Sequence, residues 1–150
     1  MVKLEYQKQS ICNVGRGLPT GVVFFDFGTF QFPESDWNDS IVVVMGWWLT
    51  ELLELLTGRA TSVNLRFMEG AFSLRISGQP HKMLRLECLE GRQERIALEF
   101  DCTAGEFARS VVHAATSLQT ICHEMGWTSS DVAVLDDKLP TAKALVADLS

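Results

Sequence analysis

The sequence predicts an α+β fold: a two-layer sandwich with a mainly antiparallel sheet of about six strands and two long helices on one face. The predicted order is β-β-α-β-β-β-β-α followed by short C-terminal helices. Three stretches carry this prediction. Between Ile41 and Leu56 apolar residues recur at three- and four-residue spacing, between Val63 and Phe100 they alternate with polar ones, and from Thr103 to Gly126 the helical spacing returns. A chain of 150 residues with 47% hydrophobic content supports one domain over 1–150, its last ten residues expected to fray.

In chain order, Leu4, Tyr6 and Ile11 mark an imperfect first strand in residues 2–12, and residues 13–19 (NVGRGLP) read as a turn. Residues 20–26 form a second strand, since GVVFF supplies the β-branched and aromatic side chains that suit a pleated surface. The simplest joining is antiparallel. Phe27, Phe30 and Phe32 lead up to Pro33 as an extended segment, and these rings are expected to cover Trp47.

The central helix is expected within residues 35–58. Asp36, Asp39 and Ser40 suit its start as acceptors near the positive end of the helix dipole, and Gly58 its stop. Ile41, Val44, Met45, Trp48, Leu52, Leu55 and Leu56 share one face. Thr50, Glu51, Glu54 and Thr57 lie opposite, but Val43 and Trp47 extend the apolar surface, so a further element must clasp them. Ile41–Val44 alone has strand propensity, which the longer periodic run outweighs. Its uninterrupted apolar stretch, residues 41–49, is about half of the roughly 20 residues a bilayer span needs.

After Gly58, Val63-Leu65-Phe67 and Phe72-Leu74-Ile76 predict a hairpin. Leu84-Leu86-Cys88 and Ile96-Leu98-Phe100 extend it to a four-stranded meander, with Arg66, Arg75, Arg85, Glu87, Arg95 and Glu99 on the outer face in signs suited to cross-strand pairs. Thr103 and Glu106 have the spacing of a capping box for a second long helix, with Phe107, Val111, Ala115, Leu118, Cys122 and Met125 as its stripe. Trp127 then precedes a short helix from Ser129 or Ser130 and another from Pro140.

Composition narrows function. The net charge of -6 repels phosphate backbones, and no basic patch overrides it, so nucleic acid is not an expected partner. MVKLEYQKQS carries no signal-peptide pattern, so the expectation is a cytoplasmic chain, and no membrane partner is expected. Cys12, Cys88, Cys102 and Cys122 are scattered, as reduced thiols are, without zinc-site spacing. Gly15, Gly17 and Gly21 lack the Lys-Ser/Thr ending of a phosphate loop, His113 and His123 lack convergent ligands, and Cys88 or Cys102 with His81 matches no nucleophile signature. The expectation is therefore no catalytic residue, no metal and no cofactor.

Two acidic features suit partner binding instead: Glu34, Asp36 and Asp39 around Trp37, and Asp131, Asp136 and Asp137 near Trp127. An aromatic anchor inside a negative rim fits a basic protein surface. Helix-dipole stabilisation and a packed tryptophan explain the same residues without a partner.

Phe27-Gly28, Phe32-Pro33, Trp37, Gly46-Trp47-Trp48-Leu49 and Arg66-Phe67-Met68-Glu69-Gly70 together resemble a pattern seen in small, mostly uncharacterised bacterial proteins, some of which are similar to the immunity proteins of polymorphic toxin systems. The resemblance spans roughly residues 20–126, rests on aromatics and turns, and transfers no catalytic residue. It implies a non-enzymatic antidote, monomer or homodimer, that binds and blocks a cognate toxin protein. The alternative from the residues themselves is a small-molecule-binding or enzymatic domain with a pocket between the aromatic segment and the central helix.

Overall fold

The computed structural model describes residues 1–13 and 18–149. The fold is α+β, as the periodicities predict, but the strands divide into two antiparallel sheets of four instead of one sheet of about six. In the first, β2 (Gly21–Asp26) pairs with β1 (Lys3–Tyr6) along one edge. Its other edge takes β3 (Gln31–Phe32) and β4 (Asn38–Asp39). The second sheet is the meander β5 (Ser62–Arg66), β6 (Phe72–Gln79), β7 (Met83–Glu90) and β8 (Arg95–Thr103), in sequence order. Of the predicted turn at residues 13–19, residues 14–17 lie outside the described residues, and so do Gly15 and Gly17. Its flanks are tied by two backbone hydrogen bonds of 2.9 Å between Cys12 and Thr20.

Why two sheets follow from this sequence is visible in the rings. Phe25 of β2 stands 5.1 Å from Trp48, 6.1 Å from Phe67 at the end of β5, and 6.1 Å from Phe107. Phe27 meets Phe100 of β8 at 5.2 Å, and Phe32 meets Phe72 of β6 at 5.8 Å. The sheets thus face each other through aromatic side chains, where a single sheet would have needed backbone pairing. The phenylalanines of residues 27–32 are used in that junction and do not cover Trp47.

Helix α1 (Ile41–Leu56) is the element both sheets pack on, through β5 and β2, and it also touches α2 (Ala104–Glu124) and α3 (Ser130–Ala147). It begins later than Asp36, because residues 38–39 are drawn into pairing with β2. Trp48, Met45, Leu49 and Leu52 are fully buried. Trp47 remains 43% exposed. The flank beside it is closed by α3: a Cβ on Gly46 would come within 3.1 Å of Val134 Cγ1, so only glycine permits this helix-to-helix distance without displacement.

α2 starts as predicted, Thr103 Oγ1 accepting from the Glu106 N–H at 3.1 Å. Its stripe is buried except for Met125, which is exposed. The tail differs from the expected pair of short helices. α3 runs as one helix through Pro140. A proline inside a helix costs about 3 kcal/mol through the lost N–H and the ring clash. Here the ring is exposed, while Val132, Leu135, Leu139 and Ala142 form a buried stripe along both halves of the helix. Leu145, Val146 and Leu149 also pack against the core, so the residues expected to fray carry apolar contacts.

The outer face of the meander pairs its charges across strands. Arg75 Nε donates to Glu87 Oε1 at 2.8 Å, and Arg85 bridges Asp101 and Glu99 at 3.1 and 3.5 Å. Arg95 pairs with Glu90. The hydrogen bond from Arg75, reinforced by its charge, holds Glu87 below the usual carboxylate range despite partial burial. A carboxylate whose folded-state value is lowered stabilises the fold above its unfolded value, about 4.3, and that contribution is lost as pH falls through the lowered value. Because Arg75 is about one third exposed, solvent screening reduces the pair to about 0.5–1 kcal/mol. Glu87→Gln is expected to lower stability by about that amount at pH 7 and to match the parent protein in acid, which urea titrations at the two pH values check.

Candidate functional site

The residues expected to form an acidic docking surface fall into two places. At the first, the chain from Glu34 to Ser40 meets the turn between β5 and β6. The two are joined by Asp39, which is 1% exposed. Its Oδ2 accepts from Trp37 Nε1 at 2.9 Å and from the Glu69 N–H at 3.2 Å. Its Oδ1 accepts from the Ser40 N–H at 2.7 Å, and the Met68 N–H reaches both oxygens at 3.2 Å. Asp39 is therefore an internal acceptor and offers no free carboxylate to a partner.

Trp37 is half-buried against Phe67 and Phe72, at 6.3 and 5.1 Å. Gly70 makes room for it: a Cβ there would lie 2.8 Å from the far edge of the indole. Around this ring Glu34, Asp36 and Glu69 are exposed, and so is Met68 at 37%. None of these three carboxylates takes part in an ion pair among the described residues. The acids of the meander, in contrast, are matched with arginines. Met68 and Glu69 belong to this surface although their sequence signal was only that of a hairpin turn, because the Asp39 hydrogen bonds that bring the turn here span about thirty positions.

The second group is split by the helix that carries it. Asp131 faces α1, sharing a cavity of about 140 Å3 with Val43, Gly46, Trp47, Thr50 and Val134. Asp136 faces α2, accepting from Gln119 Nε2 at 2.7 Å and lying 2.9 Å from His123 Nε2. Asp137 points outward, 3.8 Å from Lys138. These three carboxylates do not form one surface, since helical rotation between positions 131 and 137 turns them apart.

Of the groups that sequence alone leaves open for chemistry, the three buried cysteines have their thiols raised. Burial raises the thiols of Cys88 and Cys102 to about 12 and that of Cys122 to about 11, with Glu90, Glu106 and Asp136 respectively adding to the rise. These sulfurs are held as thiols, the unreactive form. His81 is exposed on the turn between β6 and β7. Among the described residues no three metal-ligating side chains converge, and no helix is long and apolar enough to cross a membrane.

Between the aromatic segment and α1, where the alternative reading expects a pocket, Phe32 meets Phe67 at 5.9 Å and Phe67 meets Trp48 at 5.1 Å. A larger depression lies elsewhere, a groove of about 630 Å3 between β1, α2 and the end of α3, lined by Val2, Leu4, Arg109, Val112, His113 and Val146 among others. Its walls come from both ends of the chain, so no local pattern announced it. No protein-family model, curated protein or solved structure matches this chain.

Proposed function

We propose that this chain is a non-enzymatic binding protein that docks a basic partner on the acidic turn around Trp37, and that the partner is a toxin domain which it blocks. The observation that supports this reading is the unneutralised set Glu34, Asp36 and Glu69 beside the exposed Met68 and the partly exposed Trp37, set against the paired acids of the meander. An apolar anchor supplies affinity at the centre of an interface, and charges at its rim steer a partner of opposite sign. Rigidity suits the role, because Asp39 fixes both segments of the surface before a partner arrives and so reduces the ordering cost of association.

The test is co-expression with the product of the neighbouring reading frame, followed by affinity measurement with the parent protein and with the triple variant Glu34→Lys, Asp36→Lys, Glu69→Lys. These side chains are exposed, so the fold is expected to persist. Reversal of three rim charges is expected to weaken binding at least a hundredfold and to reverse its dependence on salt. Failure to bind or rescue from any adjacent toxin, or equal binding by the triple variant, overturns the reading.

A further inference from the structure

Helix α3 is the least anchored of the three helices. Four of its 18 residues are buried, against 11 of 16 in α1 and 10 of 21 in α2. Its margins are loosely filled. Depressions of about 140 Å3 and 290 Å3 lie along its first half, against α1 and against the end of α2, and the groove of about 630 Å3 borders its last turns at Val146. Atoms that face such spaces forgo the close contacts that make an interior resist opening.

Its polar ties are equally sparse. Pro140 brings no N–H to the Asp136 carbonyl one turn back, and its ring crowds that oxygen. Among the described residues, the side-chain hydrogen bonds that join α3 to another element both end on Asp136 Oδ1, which meets Gln119 Nε2 at 2.7 Å and His123 Nε2 at 2.9 Å. The connection from α2 is short. Gly126 is left-handed (φ 72°) and the Trp127 N–H is held by the Cys122 carbonyl at 3.0 Å, which leaves Thr128 and Ser129 as the pivot.

We infer that α3 is a flap, latched by Asp136, that leaves the body of the domain as one unit about residues 128–129 while the rest of the chain stays folded. Segments with few buried apolar contacts open locally, well before global unfolding. Opening uncovers Val43 and Gly46 of α1 beside Trp47, which is already 43% exposed, and so creates an apolar surface that the closed chain does not present. The device uses no residue of the acidic turn.

Native-state amide exchange of the full chain, followed residue by residue, tests the flap. Amides of residues 134–146 are expected to share one opening equilibrium, about a hundredfold easier than that of the α1 interior. Gln119→Ala together with His123→Ala removes both partners of the latch without altering α3, and is expected to speed exchange in α3 about fivefold and leave α1 unchanged. Pro140→Ala restores the missing donor at an exposed position and is expected to slow exchange in α3 about tenfold or more. A Cβ on Gly46 would stand 3.5 Å from that of Val134, within disulfide reach. The oxidised pair Gly46→Cys and Val134→Cys is therefore expected to pin the flap and bring its exchange to the level of α1, with thermal unfolding confirming that each variant is folded. Exchange in α3 equal to that of α1 in the parent protein, graded fraying from the C-terminus in place of one shared equilibrium, or exchange unchanged in both the latch variant and Pro140→Ala overturns the proposal.

Discussion

Replacing Trp48 by alanine is expected to cost about 4–5 kcal/mol, read as a fall in the urea midpoint at constant slope. The side chain is fully buried, with its ring 5.1 Å from both Phe25 and Phe67, so truncation opens a cavity where both sheets meet α1. It also removes the Nε1 donor that Arg66 O accepts at 2.8 Å, leaving a carbonyl without its partner. Trp47→Ala, one residue earlier, is expected to cost no more than about 1.5 kcal/mol because the ring is 43% exposed. Two identical side chains in adjacent positions thus differ about threefold in effect. Equal losses for the two variants would show that α1 does not present Trp48 alone to the aromatic junction.

Asp39→Ala is expected to be of similar size, about 3–4 kcal/mol, since four donors lose one acceptor group. Asn is a poor substitute. Each carboxylate oxygen faces at least two donors, so an amide NH2 in either place sets hydrogens against hydrogens, and Asp39→Asn is expected to lose about 2–3 kcal/mol. Amide exchange at Met68 and Glu69 is expected to quicken in both variants ahead of the rest of the meander. An Asn variant within about 0.5 kcal/mol of the parent protein would remove the acceptor account of this residue. Because Asp39 fixes the turn that carries Glu69, either variant is also expected to weaken the docking proposed for that surface.

The candidate site was legible in part. Glu34, Asp36 and Trp37 stand out in the sequence as acids beside an aromatic, and the Asp39 hydrogen bonds bring the turn that carries Glu69 against their segment. Asp39 has the same composition signal and the opposite placement, because strand pairing at residues 38–39 turns its carboxylate inward. Asp131, Asp136 and Asp137 are close in sequence yet face α1, α2 and solvent, a consequence of where the helix axis lies between its neighbours.

Local physical chemistry determined α1, α2 and the meander, because each announces itself within a window of about fifteen residues: a period, a capping threonine, a turn glycine. Val63 and Leu65 do face Ile76 and Leu74 across the hairpin, as alternation required. Whether the strands before and after α1 join, whether α3 passes Pro140 unbroken, and where a groove opens between residues near 2 and 146 were decided only in three dimensions. Those outcomes depend on contacts between residues far apart in sequence, and burial of rings and stripes there outweighs the local preferences of a proline or an extended segment.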